Sequence, residues 1–305
     1  MDKCFRIGDF RFRLLAPDSL PCPAGFLRFE TASADVEMTF RVCLSDSLPP
    51  PEGEIIARRP DLVVYASPQG ESRLIGLRGC EGFYARYREL SDREAEVLLR
   101  AGMTQELRID PMFASLFALE RHMLRRDSLI LHCAYTVCRG EAILFSGPSG
   151  IGKSTQAALW ARYRGSRVVN GDRALLRRDA GRWLACGWPV CGSSGICEAE
   201  DTPVRAIVML RQGRANRVER LSPLQAFASL YAQITINVWN RAFAQQAMAL
   251  IEALIAQAPV LLLTCDMTQD AVACLEEAVF PGAREESAMA VPGDGSPAGS
   301  TPRRD

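Results

Sequence analysis

The chain has 305 residues, with 36 basic side chains against 36 acidic ones, 48% hydrophobic residues and 24% charged. This balance is ordinary for a globular protein, gives a soft expectation of two domains, and lacks the basic excess with which nucleic-acid binders gather phosphates; no nucleic-acid partner is expected. Only two of the basic residues are lysines, Lys3 and Lys153, and the other 34 are arginines.

Met1-Asp2-Lys3-Cys4-Phe5-Arg6 opens no apolar core of a signal peptide. The most apolar stretch, 247–265, is interrupted by Glu252, Gln257 and Pro259, which leaves it too short and too polar to cross a bilayer. No membrane partner and a cytoplasmic location are therefore expected. The eleven cysteines form no C-x2-C pair. The spacings Cys133/Cys138, Cys186/Cys191 and Cys191/Cys197 match no zinc knuckle, so buried free thiols are expected.

Residues 1–105 read as a β-rich N-terminal region. Arg11-Phe12-Arg13-Leu14-Leu15 and the segment 36–42 alternate apolar with polar residues, and 54–58 does so more loosely. Pro49-Pro50-Pro51 and Pro68-Gln69-Gly70 mark turns. From Asp110-Pro111 the period changes: Met112, Leu116, Leu119 and Met123 predict one helix ending at Arg125-Arg126.

From Leu129 strands and helices alternate, which predicts an α/β body over 106–281. Strands are expected at 130–137, 142–146, 167–169, 206–210 and 260–264. Helices are expected at 153–163, after Ser222-Pro223, at 241–257 and at 268–279. Residues 282–305, rich in Gly, Pro, Ser, Ala and charge, read as a disordered tail.

One motif carries chemistry. Gly147-Pro148-Ser149-Gly150-Ile151-Gly152-Lys153-Ser154 satisfies G-x4-G-K-[ST], follows the apolar run Ala142-Ile143-Leu144-Phe145, and opens a helix at Thr155-Gln156. Glycines let successive N–H groups point into one concavity, and the helix N-terminus adds partial positive charge there. Lys153 reaches the β- and γ-phosphates of a nucleotide, and the Ser154 hydroxyl ligates Mg²⁺. ATP and Mg²⁺ are the expected ligands. After that helix, Arg167-Val168-Val169-Asn170 reads as a strand and Gly171-Asp172-Arg173 follows. Asp172 is thereby expected at the end of a strand next to the one entering the loop. There it would hold Mg²⁺ or accept a substrate proton. Arg173 and Arg205 are candidates to neutralise developing charge, and the small-residue loop 187–195 is a candidate to face the acceptor. On spacing alone His132, at the end of Leu129-Ile130-Leu131, is an ordinary structural histidine, as is His122 beside Arg121. The segment 234–239 reads as core packing.

Leu131-His132-Cys133-Ala134, Gly147-x4-Gly152-Lys153-Ser154-Thr155 and Asn170-Gly171-Asp172-Arg173 together resemble the C-terminal domain of the HPr kinase/phosphorylase family. The HPr-kinase-like proteins of bacterial peptide-modification clusters resemble the chain more closely still. The resemblance is clearest over 128–175. It implies a P-loop core of the HPr kinase and ATP-dependent carboxykinase kind. It further implies Mg²⁺-dependent transfer of the γ-phosphate to a serine-type hydroxyl of a peptide, protein or small molecule, with His132 joining Asp172 and Lys153 in the site. Two positions depart from the family: Gly171 stands where an aspartate precedes Asp172, and Thr155 where an acidic residue follows the serine. The missing aspartate leaves a non-catalytic ATP-binding accessory protein as an alternative. A carboxykinase-like lyase needs a second lysine in the site, and Lys3 is the sole other lysine. A homo-oligomer is compatible with the sequence, which does not set the oligomeric state or name the acceptor.

Overall fold

The structure, a computed structural model, describes residues 1–67, 69–104 and 106–282. The tail expected at 282–305 lies outside the described residues from 283 on, as does Pro68 of the Pro68-Gln69-Gly70 turn.

Alternation in the N-terminal part builds β1 (Asp2–Ile7), β2 (Phe10–Leu15), the short helix α1 (Ala24–Leu27), β3 (Glu30–Thr31), β4 (Met38–Ser45), β5 (Glu54–Arg59), β6 (Leu62–Ser67), β7 (Gly70–Gly76), β8 (Phe83–Ser91) and β9 (Glu94–Arg100). They form a nine-stranded sheet in the order β3-β1-β2-β4-β9-β8-β7-β6-β5. In β2 the aromatic and aliphatic residues Phe10, Phe12 and Leu14 are buried while Arg13 is exposed, as period two requires.

The single helix expected from 110 to 125 is two: α2 (Asp110–Ser115) and α3 (Leu119–Leu124). Between them Ala118 adopts a left-handed φ of 47°. Leu116, Phe117 and Ala118 are all buried, and three consecutive buried side chains cannot share one helix face. The break lets Phe113, Phe117 and Met123 join Phe12, Phe26 and Phe40 in the core of the first sheet.

The rest of the described chain gives β10 (Leu129–Cys138), β11 (Glu141–Ser146), α4 (Lys153–Arg164), β12 (Arg167–Asn170), β13 (Arg173–Asp179), β14 (Arg182–Cys186), β15 (Asp201–Gln212), β16 (Arg217–Arg220), α5 (Pro223–Tyr231), α6 (Arg241–Gln257), β17 (Val260–Cys265) and α7 (Gln269–Val279). Strands β11, β15 and β17 run parallel at the centre of this second sheet. Ile143 and Phe145 face Trp160 of α4 and Leu275 of α7. Leu144, pointing the other way, packs with Leu230 of α5 and Ile251 of α6. Burial on both faces explains why these strands read as continuous apolar runs. Helix α4 stops where Gly165 takes φ 61°. Helix α5 starts in a capping box: the Ser222 hydroxyl accepts from the Gln225 N–H, and the Gln225 side chain accepts from the Ser222 N–H. Ile130, Leu175, Trp188 and Val190 of this second part belong to the core of the first sheet, so the two sheets share packed surface. No helix among the described residues is long and apolar enough to cross a membrane.

Candidate functional site

Strand β10 organises the site because different partners share its two edges. On one edge β11 pairs with 133–138 and ends at Ser146, opposite Cys133. The loop 147–152 leaves the sheet there, and the Ser146 hydroxyl donates to the His132 carbonyl at 2.8 Å. On the other edge β12 pairs with 135–137 and β13 with 129–132, both antiparallel. Gly171 and Asp172 are the interruption between β12 and β13. The Asp172 carbonyl still accepts the Cys133 N–H at 3.0 Å, and Arg173 stands opposite His132. The strand carrying Asp172 is thus next to β10 and not next to β11, where the sequence had suggested it. Strand β11 is flanked by β10 and β15, so Asp172 comes to the loop across β10.

The loop needs its glycines for conformation. Gly147, Gly150 and Gly152 have φ of 142°, 78° and 113°, values that residues with a Cβ rarely adopt. Where a Cβ would stand at Gly150 and Gly152 there is open space. Pro148, Ser149 and Ser154 are exposed, while Ile151 and Thr155 are half-buried. Lys153, the first residue of α4, is 8% exposed and donates from Nζ to the carbonyls of Gly147 at 3.0 Å and Pro148 at 3.1 Å. Burial lowers its proton affinity, and the nearby Asp172 carboxylate opposes that loss. A cleft of about 340 Å³ opens beside the loop between Gly150, Thr155, Gly213 and Asp266.

Asp172 has two cationic or potentially cationic neighbours. Arg173 donates from Nε to Asp172 Oδ2 at 3.0 Å and reaches Thr235 Oγ1 at 3.3 Å. His132 Nε2 lies 3.7 Å from Asp172 Oδ1. Burial, reinforced by the Lys153 charge, moves the His132 imidazole below its ordinary range, so it is neutral at neutral pH and the approach is not a salt bridge. The three residues expected in the site, His132, Lys153 and Asp172, are brought together. Arg205 is not: it donates to the Val279 carbonyl at 2.6 Å and sits beside Glu141, at the opposite end of β11 from the loop. His122 lies in the first sheet's aromatic core.

Asn170 is the residue whose role the sequence did not reveal. It is fully buried, and its Oδ1 accepts the N–H groups of Asp172 at 2.8 Å and Arg173 at 2.9 Å. Its Nδ2 donates to the carbonyls of Trp188 at 2.7 Å and Val190 at 3.1 Å. One side chain therefore fixes the Asp172 turn and ties it to the loop 187–195. That loop does approach the site, but Ser194 spends its hydroxyl internally, donating to the Cys191 carbonyl at 2.7 Å. A Cβ on Gly171 would fall onto the Ser194 side chain, and a Cβ on Gly192 would come within 2.8 Å of Asp172 Cβ. Both glycines are needed for close approach. Asn170→Ala strands two buried carbonyls and two N–H groups, and is expected to lower unfolding free energy by about 2–4 kcal/mol in urea titrations. A loss below about 1 kcal/mol would show that the turn holds without it.

Among the described residues no group of three or more His, Cys, Asp or Glu is arranged to hold a metal ion. Ser154 and Asp172 would supply two oxygen ligands, a number that suits Mg²⁺ when phosphates and water complete its shell.

A family model described as "SynChlorMet cassette protein ScmC" matches residues 98–270, more than half of the chain and all the residues gathered above. The chain belongs to the ScmC family. No curated protein matches it. Among solved structures, the Hpr(Ser) kinase/phosphatase from Coxiella burnetii is 14% identical, over 52% of this chain and 93% of that chain, with a TM-score of 0.30.

Proposed function

We propose that the chain is an ATP-dependent phosphotransferase that carries the γ-phosphoryl group to a serine-type hydroxyl of a peptide, protein or small molecule. The observation that supports it most is the meeting of a positive-φ glycine loop, a buried lysine at the loop's base and a carboxylate across β10. In this reading the loop is a P-loop. Residues 147–155 surround the phosphates, using N–H groups that have no partner within the helix's first turn. The Lys153 ammonium exchanges its two carbonyl acceptors for phosphate oxygens. Ser154 and Asp172, the latter directly or through a water, would hold Mg²⁺, which would neutralise phosphate charge. Asp172 faces the incoming hydroxyl and takes its proton. His132, neutral and 3.7 Å away, forms no ion pair with Asp172 Oδ1 and leaves that oxygen open to the acceptor. Arg173 holds the second carboxylate oxygen and adds positive charge beside the transferred group. Positioning and charge neutralisation are most of what phosphoryl transfer asks of a protein.

The test is incubation with γ-labelled ATP, Mg²⁺ and pools of hydroxyl-bearing peptides and metabolites, comparing wild type with Asp172→Asn. Transfer is expected to fall at least about a hundredfold in the variant. Equal labelling by the two chains would remove Asp172 from the mechanism, and no labelling by wild type would remove the transferase reading.

One observation favours a second reading, an ATP-binding accessory protein without turnover. The Asp172 turn carries a single carboxylate, and Ser194 fills the space a side chain at 171 would need. That reading expects Lys153-dependent nucleotide binding and no product from any acceptor pool.

A further inference from the structure

The loop that packs on Asp172 is bracketed by two cysteines. Cys191 and Cys197 are buried, and their sulfurs stand 2.6 Å apart, closer than non-bonded sulfurs pack. A disulfide needs about 2.05 Å, so bonding requires an approach of about half an ångström. Among the described residues this is the cysteine pair whose sulfurs are within hydrogen-bonding reach of each other. The pair is also covered from the first sheet's side. A Cβ on Gly25 of α1 would lie 2.8 Å from Cys191 Sγ and 2.9 Å from Cys197 Sγ, and 3.0 Å from Asp110 Oδ2. The Cys191 N–H donates to that same Asp110 oxygen at 3.3 Å. Between the cysteines, Gly192 with φ 59° lies against Asp172 and Ser194 lies against Gly171.

We infer that Cys191 and Cys197 are an oxidisable dithiol, a modification site for small peroxide oxidants, whose disulfide locks the loop 191–197 in place against Asp172. One thiolate attacks a peroxide oxygen; the O–O bond breaks and a sulfenic acid and hydroxide form. The neighbouring sulfur then attacks the sulfenic sulfur, the S–S bond forms, and the S–O bond breaks with loss of water. Two thiols and one hydrogen peroxide thus give one disulfide and two waters. Cross-linking so short a loop removes much of its freedom to open. Burial pushes both thiols up. For Cys197 the hydrogen bond with Cys191 and the charge of Arg28 oppose that rise, while Asp110 and Glu198 add to it. The thiolate is therefore scarce at neutral pH, and oxidation is expected to quicken as pH rises.

The experiment treats the full chain with hydrogen peroxide at mildly alkaline pH, alkylates the remaining thiols and maps the tryptic fragment 183–205, which holds Cys186, Cys191 and Cys197. The expected result is loss of two hydrogens with a bond between Cys191 and Cys197, reversed by dithiothreitol. Hydrogen exchange at the amides of 192–196 should slow about tenfold in the oxidised chain. Cys191→Ser or Cys197→Ser should abolish the mass loss, and Cys186→Ser should keep it. A bond to Cys186, or a reduced fragment when the exposed Cys80 has been oxidised, would overturn the dithiol. A disulfide that leaves exchange unchanged would overturn the lock. None of these readouts depends on nucleotide or acceptor, so the result stands apart from the fate of the transferase reading.

Discussion

Lys153→Ala is expected to weaken binding of an ATP analogue with Mg²⁺ by about 30- to 1000-fold, equivalent to about 2–4 kcal/mol. The ammonium sits at the base of the loop with two carbonyl acceptors, which on the proposed function it exchanges for phosphate oxygens. Removing it leaves the glycine conformations intact, because their φ values are set by the chain's path from β11 into α4. Lys153→Arg should not restore binding, since a planar guanidinium is larger than the ammonium it replaces and presents a fixed fork. Titration calorimetry with a non-hydrolysable analogue measures both variants, and circular dichroism checks that each is folded. Unchanged affinity in Lys153→Ala would mean that the loop is not a phosphate cradle. The arithmetic of the composition agrees with this expectation: 34 arginines against two lysines shows how readily arginine serves wherever charge alone is needed.

Much of the second sheet was legible because each central strand is buried on both faces and bounded by glycine, proline or a cap. The runs at 142–146, 206–210 and 260–264 became β11, β15 and β17, and Ser222-Pro223 became the start of α5. The misses have a common cause in arginine-rich segments. Strands β13 and β14, Arg173–Asp179 and Arg182–Cys186, carry arginines at their ends, so their alternation is short and hidden by charge. Their hairpin turns at Ala180, with φ 45°, and Gly181, with φ 82°.

In the site, the residues that chemistry names were visible and the residues that hold them were not. The glycine-rich motif follows from spacing, because its torsions demand glycine at fixed places. The role of Asn170 depends on two N–H groups in its own turn and on two carbonyls from the distant loop 187–195, and nothing local in a sequence marks that second pair. The same holds for the approach of Cys191 to Cys197, which a six-residue separation permits without requiring. Strand order was misjudged for a related reason: a strand that follows a helix usually returns beside the strand before it, whereas β12 pairs with β10.

His122 makes a prediction about the whole fold. Its ring is buried in the first sheet's core, stacked on Phe10 at 5.4 Å and edge-on to Phe40 at 5.4 Å, with Nε2 3.2 Å from the Tyr87 hydroxyl. Burial pushes its pKa down to about 3; Arg125 and Arg126 push the same way, and Glu89 and Glu120 oppose them. In the unfolded chain it titrates near 6.5. Between those values the unfolded state binds a proton that the folded state refuses, so stability is full above about pH 6.5 and falls as pH falls toward 3. From pH 7.5 to 4.5 the loss is expected to be about 2–3 kcal/mol. Below 4.5 the carboxylates of buried Glu89 and half-buried Glu120, held below the usual range by Arg121 and Arg73 respectively, add a second loss in the same direction. His122→Gln keeps a polar partner for Tyr87 but cannot titrate. In urea titrations across that window its stability should be nearly flat, retaining only the smaller contribution of His132, whatever its absolute value. Parallel slopes for the two chains would place the acid-sensitive group elsewhere.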